Sequence, residues 1–274
     1  MYFKVSKKEF YNALSVASRA ISTFSPLPAF SGIKIDAKED CLILTGSDSD
    51  VSIQTKLTKS EECVLEIRDM GSIVIEAKYI LEIVRKIDAD EIEFEMIDGS
   101  LTKISGNTAE FRINGMRANE YPAIDFSKPK ECFALKEETL KKVILQTNFA
   151  TSDKETRPVL TGVNFHCEGN TLHCVATDSY RLAKKTIDIS ESLNFNITIP
   201  AKSLSEVVKT LEGEGEVEIA VNDKKAQFII HDTIVQTRLI DGVYPETSRL
   251  IPLQFDYELT IDSRDLLNAI DRAS

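Results

Sequence analysis

Apolar residues recur along the chain with two periods, and the two periods take turns. Phe3 and Val5 alternate as in a short strand, and Phe10, Leu14, Ala17 and Ile21 follow at helical spacing. Ser6 with Glu9 three residues on predicts a capping box for this helix, over Ser6–Ala20. Pro26 and Pro28 end it in a loop. Gly32 to Ile35, Cys41 to Thr45 and Val51 to Leu57 read as strands, divided by turn residues around Lys38–Asp40 and Gly46–Asp50. A second cycle follows. Ile73 to Ile75 is a strand, and Ala77 to Ile87 is an amphipathic helix with Ile80, Ile83, Val84 and Ile87 inward. Ile92, Phe94 and Met96 alternate, Asp98-Gly99 makes a hairpin turn, and Leu101 to Ile104 and Phe111 to Asn114 complete a sheet.

The pattern is duplicated at two levels. Phe3, Val5, Phe10 and Leu14 fall on Ile73, Ile75, Ile80 and Val84 at an offset of 70. They fall again on Phe133, Leu135, Leu140 and Ile144 at 130, where Gly32, Leu42 and Asp48 also match Gly162, Leu172 and Asp178 without a gap. The second helix recurs too, since Ile73, Ala77, Lys78, Glu82 and Val84 match Ile197, Ala201, Lys202, Glu206 and Val208 at 124. Tyr121-Pro122 closes the first unit as Tyr244-Pro245 closes the second. Gapless matches of this length predict a duplicated domain. The expected organisation is α+β, with each domain a strand-helix-three-strand unit performed twice, over residues 1–125 and 126–252. Leu259, Ile261, Leu266 and Ile270 restart the pattern at an offset of 126 from Phe133, Leu135, Leu140 and Ile144. Residues 253–274 therefore read as the start of an incomplete third domain, in a chain expected to be truncated early within it.

One stretch departs from its copy. Thr171–Ala183 reads TLHCVATDSYRLA, and Cys41–Ile53 reads CLILTGSDSDVSI. The strand and the aspartate are kept, but Tyr180-Arg181-Leu182 stands where the first copy has Asp50-Val51-Ser52. A shared scaffold has acquired an aromatic, a cation and an apolar residue, the makings of a surface pocket.

Charge sharpens the picture. The net charge of −11 argues at first against nucleic acid, whose affinity comes from neutralised phosphates. The four helical segments, Ser6–Ala20, Ala77–Ile87, Lys136–Asn148 and Ala201–Leu211, nevertheless carry +2, +2, +1 and +1, leaving −17 on everything else. Basic helices and acidic strands suit one helical face that meets a polyanion. No apolar run reaches the ~18 residues of a membrane span, and the N-terminus lacks the apolar core of a secretory signal. The five cysteines, with no CxxC, read as reduced and mostly buried thiols of a cytoplasmic protein.

Candidate chemistry is sparse. The chain has no P-loop, no G-x-S-x-G and no H-E-x-x-H. A turn at Gly169-Asn170 would set His166 opposite His173 with Cys167 and Cys174 nearby, but the first repeat has Asp36 and Ile43 there, so no metal and no cofactor is expected. Asp48 and Asp50 have the spacing of a turn, and Asp178 is expected to cap one.

Val175–Ala183 and Asp241–Pro252, with Phe3–Phe10 and Leu27–Ile35, make the chain resemble the bacterial DNA polymerase III beta subunits, the sliding clamps. The resemblance runs the length of the chain. It implies three tandem DNA-clamp domains per subunit, a head-to-tail homodimer closed into a ring, helices lining the hole and antiparallel sheets outside. It implies a non-catalytic processivity factor that encircles duplex DNA without reading its sequence and tethers the replicative DNA polymerase, with the clamp loader and other clamp-binding proteins as further partners. The family's peptide pocket falls on Leu160, Thr177, Tyr180, Arg181, Leu182, Pro245, Arg249 and Leu250. Ser179-Tyr180 stands where the family often has Gly-His, and the aromatic suits an apolar pocket. On the lining helices, Arg19, Lys78, Arg85, Lys86, Lys141, Lys142, Lys202 and Lys209 are the candidates to face phosphates. A chain of this length is expected to be monomeric or weakly associated. Two other readings differ in kind. One is a complete two-domain clamp closing as a trimer, which a mass in solution would reveal. The other is a metal-dependent nuclease using Asp48, Asp50 or Asp178, whose cleavage would disappear in Asp178→Ala.

Overall fold

A computed structural model describes residues 1–22, 27–248, 250–252 and 254–273. The chain divides into two compact units, Met1–Gly242 and Val243–Ser274.

The first unit opens with β1 (Tyr2–Ser6), α1 (Lys7–Ser18), β2 (Gly32–Ala37), β3 (Cys41–Ser47) and β4 (Val51–Thr58), the first predicted cycle. Next comes β5 (Leu65–Asp69), absent from the sequence reading. It pairs with β1, Leu65 opposite Val5 and Ile67 opposite Phe3. Its outward positions, Glu66, Arg68 and Asp69, make so short a segment look like part of the preceding turn. The second cycle is β6 (Gly71–Glu76), α2 (Ala77–Lys86), β7 (Glu91–Asp98), β8 (Leu101–Gly106) and β9 (Ala109–Asn114). The Asp98-Gly99 hairpin forms, with Gly99 at φ +52°. The capping box does not. The Ser6 hydroxyl accepts the amide of Val64 at 2.8 Å and makes no helix cap, because the approach to β5 brings that donor within reach. Pro26, expected to end the first helix, lies outside the described residues.

After the short β10 (Met116–Arg117), the second repeat comprises β11 (Glu131–Lys136), α3 (Glu137–Thr147), β12 (Gly162–Thr177), β13 (Leu182–Pro200), α4 (Ala201–Thr210), β14 (Glu216–Val221), β15 (Lys225–Ile230) and β16 (Thr233–Arg238). The rings of His166 and His173, both on β12, have centroids 6.4 Å apart, whereas so many residues of straight strand would separate them by ~23 Å. β12 therefore doubles back, at Gly169 with φ +63°. One arm pairs with Leu193–Pro200 and the other with Leu182–Asp188 of β13. The expected hairpin is present within continuous extended backbone.

A five-stranded sheet has the order β5-β1-β7-β8-β9, and a nine-stranded sheet the order β10-β6-β2-β3-β4-β16-β15-β14-β11. The larger sheet crosses from one repeat into the other, because β4 pairs antiparallel with β16, Ile53 opposite Val235. One core surrounds Phe3, Phe10 and Phe94, with Phe3 stacked on Phe94 at 4.7 Å. The other surrounds Phe133, Phe165 and Phe228, and it takes in Ala20, Val51 and Ile53 from the first repeat. Shared sheet and shared core join the two repeats. The connecting segment is strapped to the second repeat as well. Lys225 Nζ donates to the Asp125 carbonyl at 2.7 Å, and Gln227 Nε2 to the Phe126 and Ser127 carbonyls at 3.1 and 3.2 Å.

The helices form a row. α1 packs on α2 and α3 on α4. Arg19 Nη1 donates to the Lys209 carbonyl at 2.8 Å, linking the end of α1 to the end of α4. The order across the row is α2-α1-α4-α3, with the antiparallel sheets on the other face. α1 sits close on β3, since a Cβ added at Gly46 would lie 2.1 Å from the Ala17 carbonyl oxygen.

The second unit contains α5 (Ser263–Ala273), whose amides at Arg264 and Asp265 are capped by Asp262 Oδ1 at 2.9 and 3.2 Å. The expected strand through Leu259 and Ile261 does not form, and both residues are exposed. A strand needs a partner edge for its backbone groups, and none of the described residues pairs with this one.

Candidate nucleic-acid interface and docking turn

The sequence-predicted cations lie on the four-helix row in two states. Some are spent on their own helix. Arg85 and Lys86, in the last turn of α2, share Glu82 at 2.9 and 3.2 Å. Lys142 pairs with Glu138 at 2.6 Å and Lys209 with Glu206 at 2.7 Å. Such exposed pairs contribute little to stability and leave the cations able to exchange partners. Glu82 is held below its usual carboxylate range by hydrogen bonds from Arg85 and then Lys86. Lys78, Lys141 and Lys202 have no carboxylate partner among the described residues. Lys78 and Lys202 are exposed and stand at equivalent places in the first turns of α2 and α4. A cation there opposes the helix dipole, so local stability does not account for it. Lys78 also lies 5.9 Å from the Tyr79 ring centroid.

Burial alters the charge of the row. Glu137, the first residue of α3, is fully buried, with Oε2 accepting the Gly213 amide at 2.7 Å and Oε1 facing His231 Nε2 at 3.1 Å. Its carboxyl is thus withdrawn from the helix surface, and α3 presents a more basic face than its sequence suggests. Gly213 and Gly215, at φ +97° and +130°, carry the chain past this carboxylate in a conformation that favours glycine.

The turn at Asp178 has the same architecture as its copy at Asp48. Asp178 Oδ1 accepts the amides of Tyr180 and Arg181, each at 2.9 Å, as Asp48 Oδ1 accepts those of Asp50 and Val51 at 3.0 and 2.8 Å. Thr177 Oγ1 donates to the Arg181 carbonyl at 2.7 Å, as Ser47 Oγ does to that of Val51 at 3.1 Å. Ser179 and Ser49 both take positive φ, +79° and +87°. Asp178 caps its turn, as expected. The amides of Arg181 and Tyr180 hold its carboxyl below the usual range, with smaller help from the Arg181 charge.

This turn lifts Tyr180 into solvent, 97% exposed. Arg181 Nε reaches Asp178 Oδ2 at 3.0 Å, and its guanidinium carbon lies 5.9 Å from the Phe149 ring centroid. Phe149 is exposed and was missed by the sequence reading. Its only signal was position, since a phenylalanine just after a helix usually belongs to the core. Leu182 is half-buried. Leu160, also named for the pocket, is only 3% exposed and serves as core. The structure thus brings Arg181 beside Phe149, with Thr177 buried, Leu182 half-buried and Tyr180 standing in solvent. Pro245 and Leu250 belong to the second unit, where both are exposed, and Arg249 lies outside the described residues.

The remaining candidates are structural. Cys41, Cys63, Cys167 and Cys174 are buried free thiols, Cys132 is half-buried, and burial pushes the Cys174 thiol well up. Among the described residues no three His, Cys, Asp or Glu side chains gather as metal ligands, and no helix is long and apolar enough to cross a membrane.

Known proteins repeat this arrangement. The beta sliding clamp of Bacillus subtilis is 39% identical over 279 residues, covering 100% of this chain and 74% of that protein. That of Staphylococcus epidermidis is 38% identical over 278 residues, with the same coverage. The crystal structure of the Bacillus subtilis DNA polymerase sliding clamp superposes with a TM-score of 0.97 at 36% identity, over 100% of this chain and 73% of that one. The DNA polymerase III beta chain of Streptococcus pneumoniae gives 0.94 at 32%, over 99% and 73%. Residues 1–125 match the family described as DNA polymerase III beta subunit, N-terminal domain, and residues 134–246 its central domain. The chain belongs to the DNA polymerase III beta subunit family, the beta sliding clamps.

Proposed function

We propose that this protein is a replication processivity clamp that holds its partners on duplex DNA through contacts to phosphates, without catalysing a reaction of its own. The observation that carries the DNA-contacting role is the pair Lys78 and Lys202. Two repeats place a lysine without a carboxylate partner among the described residues at the same point of equivalent helices, where the helix dipole disfavours it. Arg19, Lys141 and the exchangeable Arg85, Lys86, Lys142 and Lys209 extend the same row. Residues 1–125 and 126–252 are the clamp domains in this reading, with 253–274 as the opening of a further repeat. The full assembly is a head-to-tail homodimer acting in the cytoplasm. Its other partners are the replicative polymerase, the clamp loader and proteins that carry a clamp-binding peptide.

That peptide docks on Tyr180, Arg181 and Leu182, with Thr177 and Leu160 behind them, and the family resemblance assigns Pro245, Arg249 and Leu250 to the same role. Seating two or three apolar side chains gains ~1.5–3 kcal/mol each before ordering costs, which gives affinities near micromolar and suits partners that exchange.

The test is the salt dependence of binding to a duplex of random sequence. Each phosphate contact contributes about −0.9 to the slope of log K against log salt. Lys78→Glu with Lys202→Glu is expected to flatten the slope by about two units with no change in sequence preference. A slope unaltered by that pair would overturn the assignment of the DNA-contacting face.

A further inference from the structure

A cleft of about 440 Å³ opens in the first unit where its two repeats meet. Its volume falls within the ~300–1,000 Å³ of pockets that bury small ligands. Leu27, Pro122 and Ile124 line it with apolar surface, over the buried Phe30. Phe30 is fixed from behind by the Tyr121 ring, edge to face at 5.3 Å, while Leu27 is 44% exposed. Three cations share the cleft. Lys225 is committed to Asp125, at 2.7 Å to the carbonyl and 3.3 Å to Oδ2. Lys224 and Arg238 are not. Their backbones are pinned, Arg238 N to the Asp50 carbonyl at 2.9 Å and the Lys224 carbonyl by Leu239 N at 3.1 Å. Their side chains are exposed and have no carboxylate partner among the described residues. In a chain with 44 acidic residues against 33 basic ones, these two cations outnumber the one carboxylate of the lining outside the Lys225–Asp125 pair, Asp50, and beside the exposed Leu27 and half-buried Ile124 they mark a surface complementary to an apolar, acidic ligand.

The internal repeat supports this independently. Ser47, Ser49, Asp50 and Ser52 of the cleft fall, at an offset of 130, on Thr177, Ser179, Tyr180 and Leu182, and Phe30 falls on Leu160. The turn that presents them has the same hydrogen bonds in both copies. We propose that this cleft is a second docking site, for an extended peptide in which apolar side chains alternate with carboxylates. Alternate side chains of an extended segment point to opposite sides. Leucine-sized groups would seat against Leu27, Pro122 and Ile124 while the intervening carboxylates meet Lys224 and Arg238. With Asp50 in place of Tyr180, the cleft selects a different sequence from the docking turn. Only the likeness to that turn rests on the peptide-docking reading above. The cleft, its apolar lining and its unpaired cations stand without it.

The probe is a fluorescein-labelled Leu-Asp-Leu-Asp-Leu amide carrying a terminal benzophenone, titrated into the whole 274-residue chain. Saturable anisotropy is expected, with photo-adducts at Leu27 and Pro122–Ile124. Lys224→Glu with Arg238→Glu, both exposed and verified as folded by their melting curves, is expected to weaken binding about tenfold. Absence of saturable binding, or affinity unchanged by the charge reversal, would overturn the proposal. Adducts confined to Thr177–Leu182 would overturn it too, while leaving the docking turn intact. Adducts in the cleft with none at that turn would sustain it even if the turn proved inert.

Discussion

At the scale of single residues, two carboxylates decide local geometry in opposite ways. Glu137 is wholly buried, and the Gly213 amide and His231 imidazole depend on it. Gly213 and His231 are themselves exposed and can turn to water, so removing the carboxyl costs its hydrogen bond and leaves a cavity. Glu137→Ala is expected to cost about 1–3 kcal/mol, read as a fall in urea midpoint at unchanged slope. Asp178 works at the surface, where its depressed pKa fixes the sign of a pH effect. A carboxyl lowered by folding stabilises the native state above its unfolded value of about 3.9, and that contribution fades as pH falls through the folded value. The difference in urea midpoint between the wild type and Asp178→Asn should therefore be constant from about pH 5 upward and shrink below about pH 4. A difference that grew on acidification would contradict the role of the carboxylate. Asp125, held down to about 2 by the Ser127 hydroxyl and amide and then by Lys225, keeps the connecting strap tied further into acid.

At the scale of elements, α1 is the most tightly set piece. Its Ala17 carbonyl leaves no room for a methyl group at Gly46, whereas the equivalent position in the second repeat, Ala176, is a fully buried alanine. Gly46→Ala should push α1 from β3, cost about 1–3 kcal/mol and weaken the Arg19 contact to α4. Thermal melts and the amide exchange of Lys209 would register both effects. The same elements show what a reader of the sequence could see. α2 was legible because Ile80 and Val84 recur at helical spacing over a polar face. The Asp178 turn was legible from its copy, since Asp48 and Asp178 hold the same place while Tyr180-Arg181-Leu182 stands where the first repeat has Asp50-Val51-Ser52. Ser6 misled because its hydroxyl had a helix amide nearby, and the competing Val64 amide arrives only with the tertiary fold. The pairing of β4 with β16 left no local trace. The alternation around Ile53 and Val235 says which face is buried and not which edge meets which.

At the scale of the whole molecule, the two repeats between Met1 and Gly242 share a sheet and part of a core, so they should unfold together. Fluorescence from a tryptophan placed at Tyr79 and from another at Phe149 is expected to report one urea midpoint, and two separated midpoints would refute the shared core. The β4–β16 seam also has a mechanical consequence. On the sheet side the junction is a ladder reinforced by a Thr55–Thr233 hydroxyl contact at 3.0 Å and by the Lys56 amide bonding to the Asp232 carbonyl at 2.9 Å. On the helix side it is held by the Arg19 strut to Lys209. To flex there, the protein would have to stretch one fastening while compressing the other. The first two repeats thus behave as a single stiff beam, and a ring built from such beams can yield only at its remaining joints.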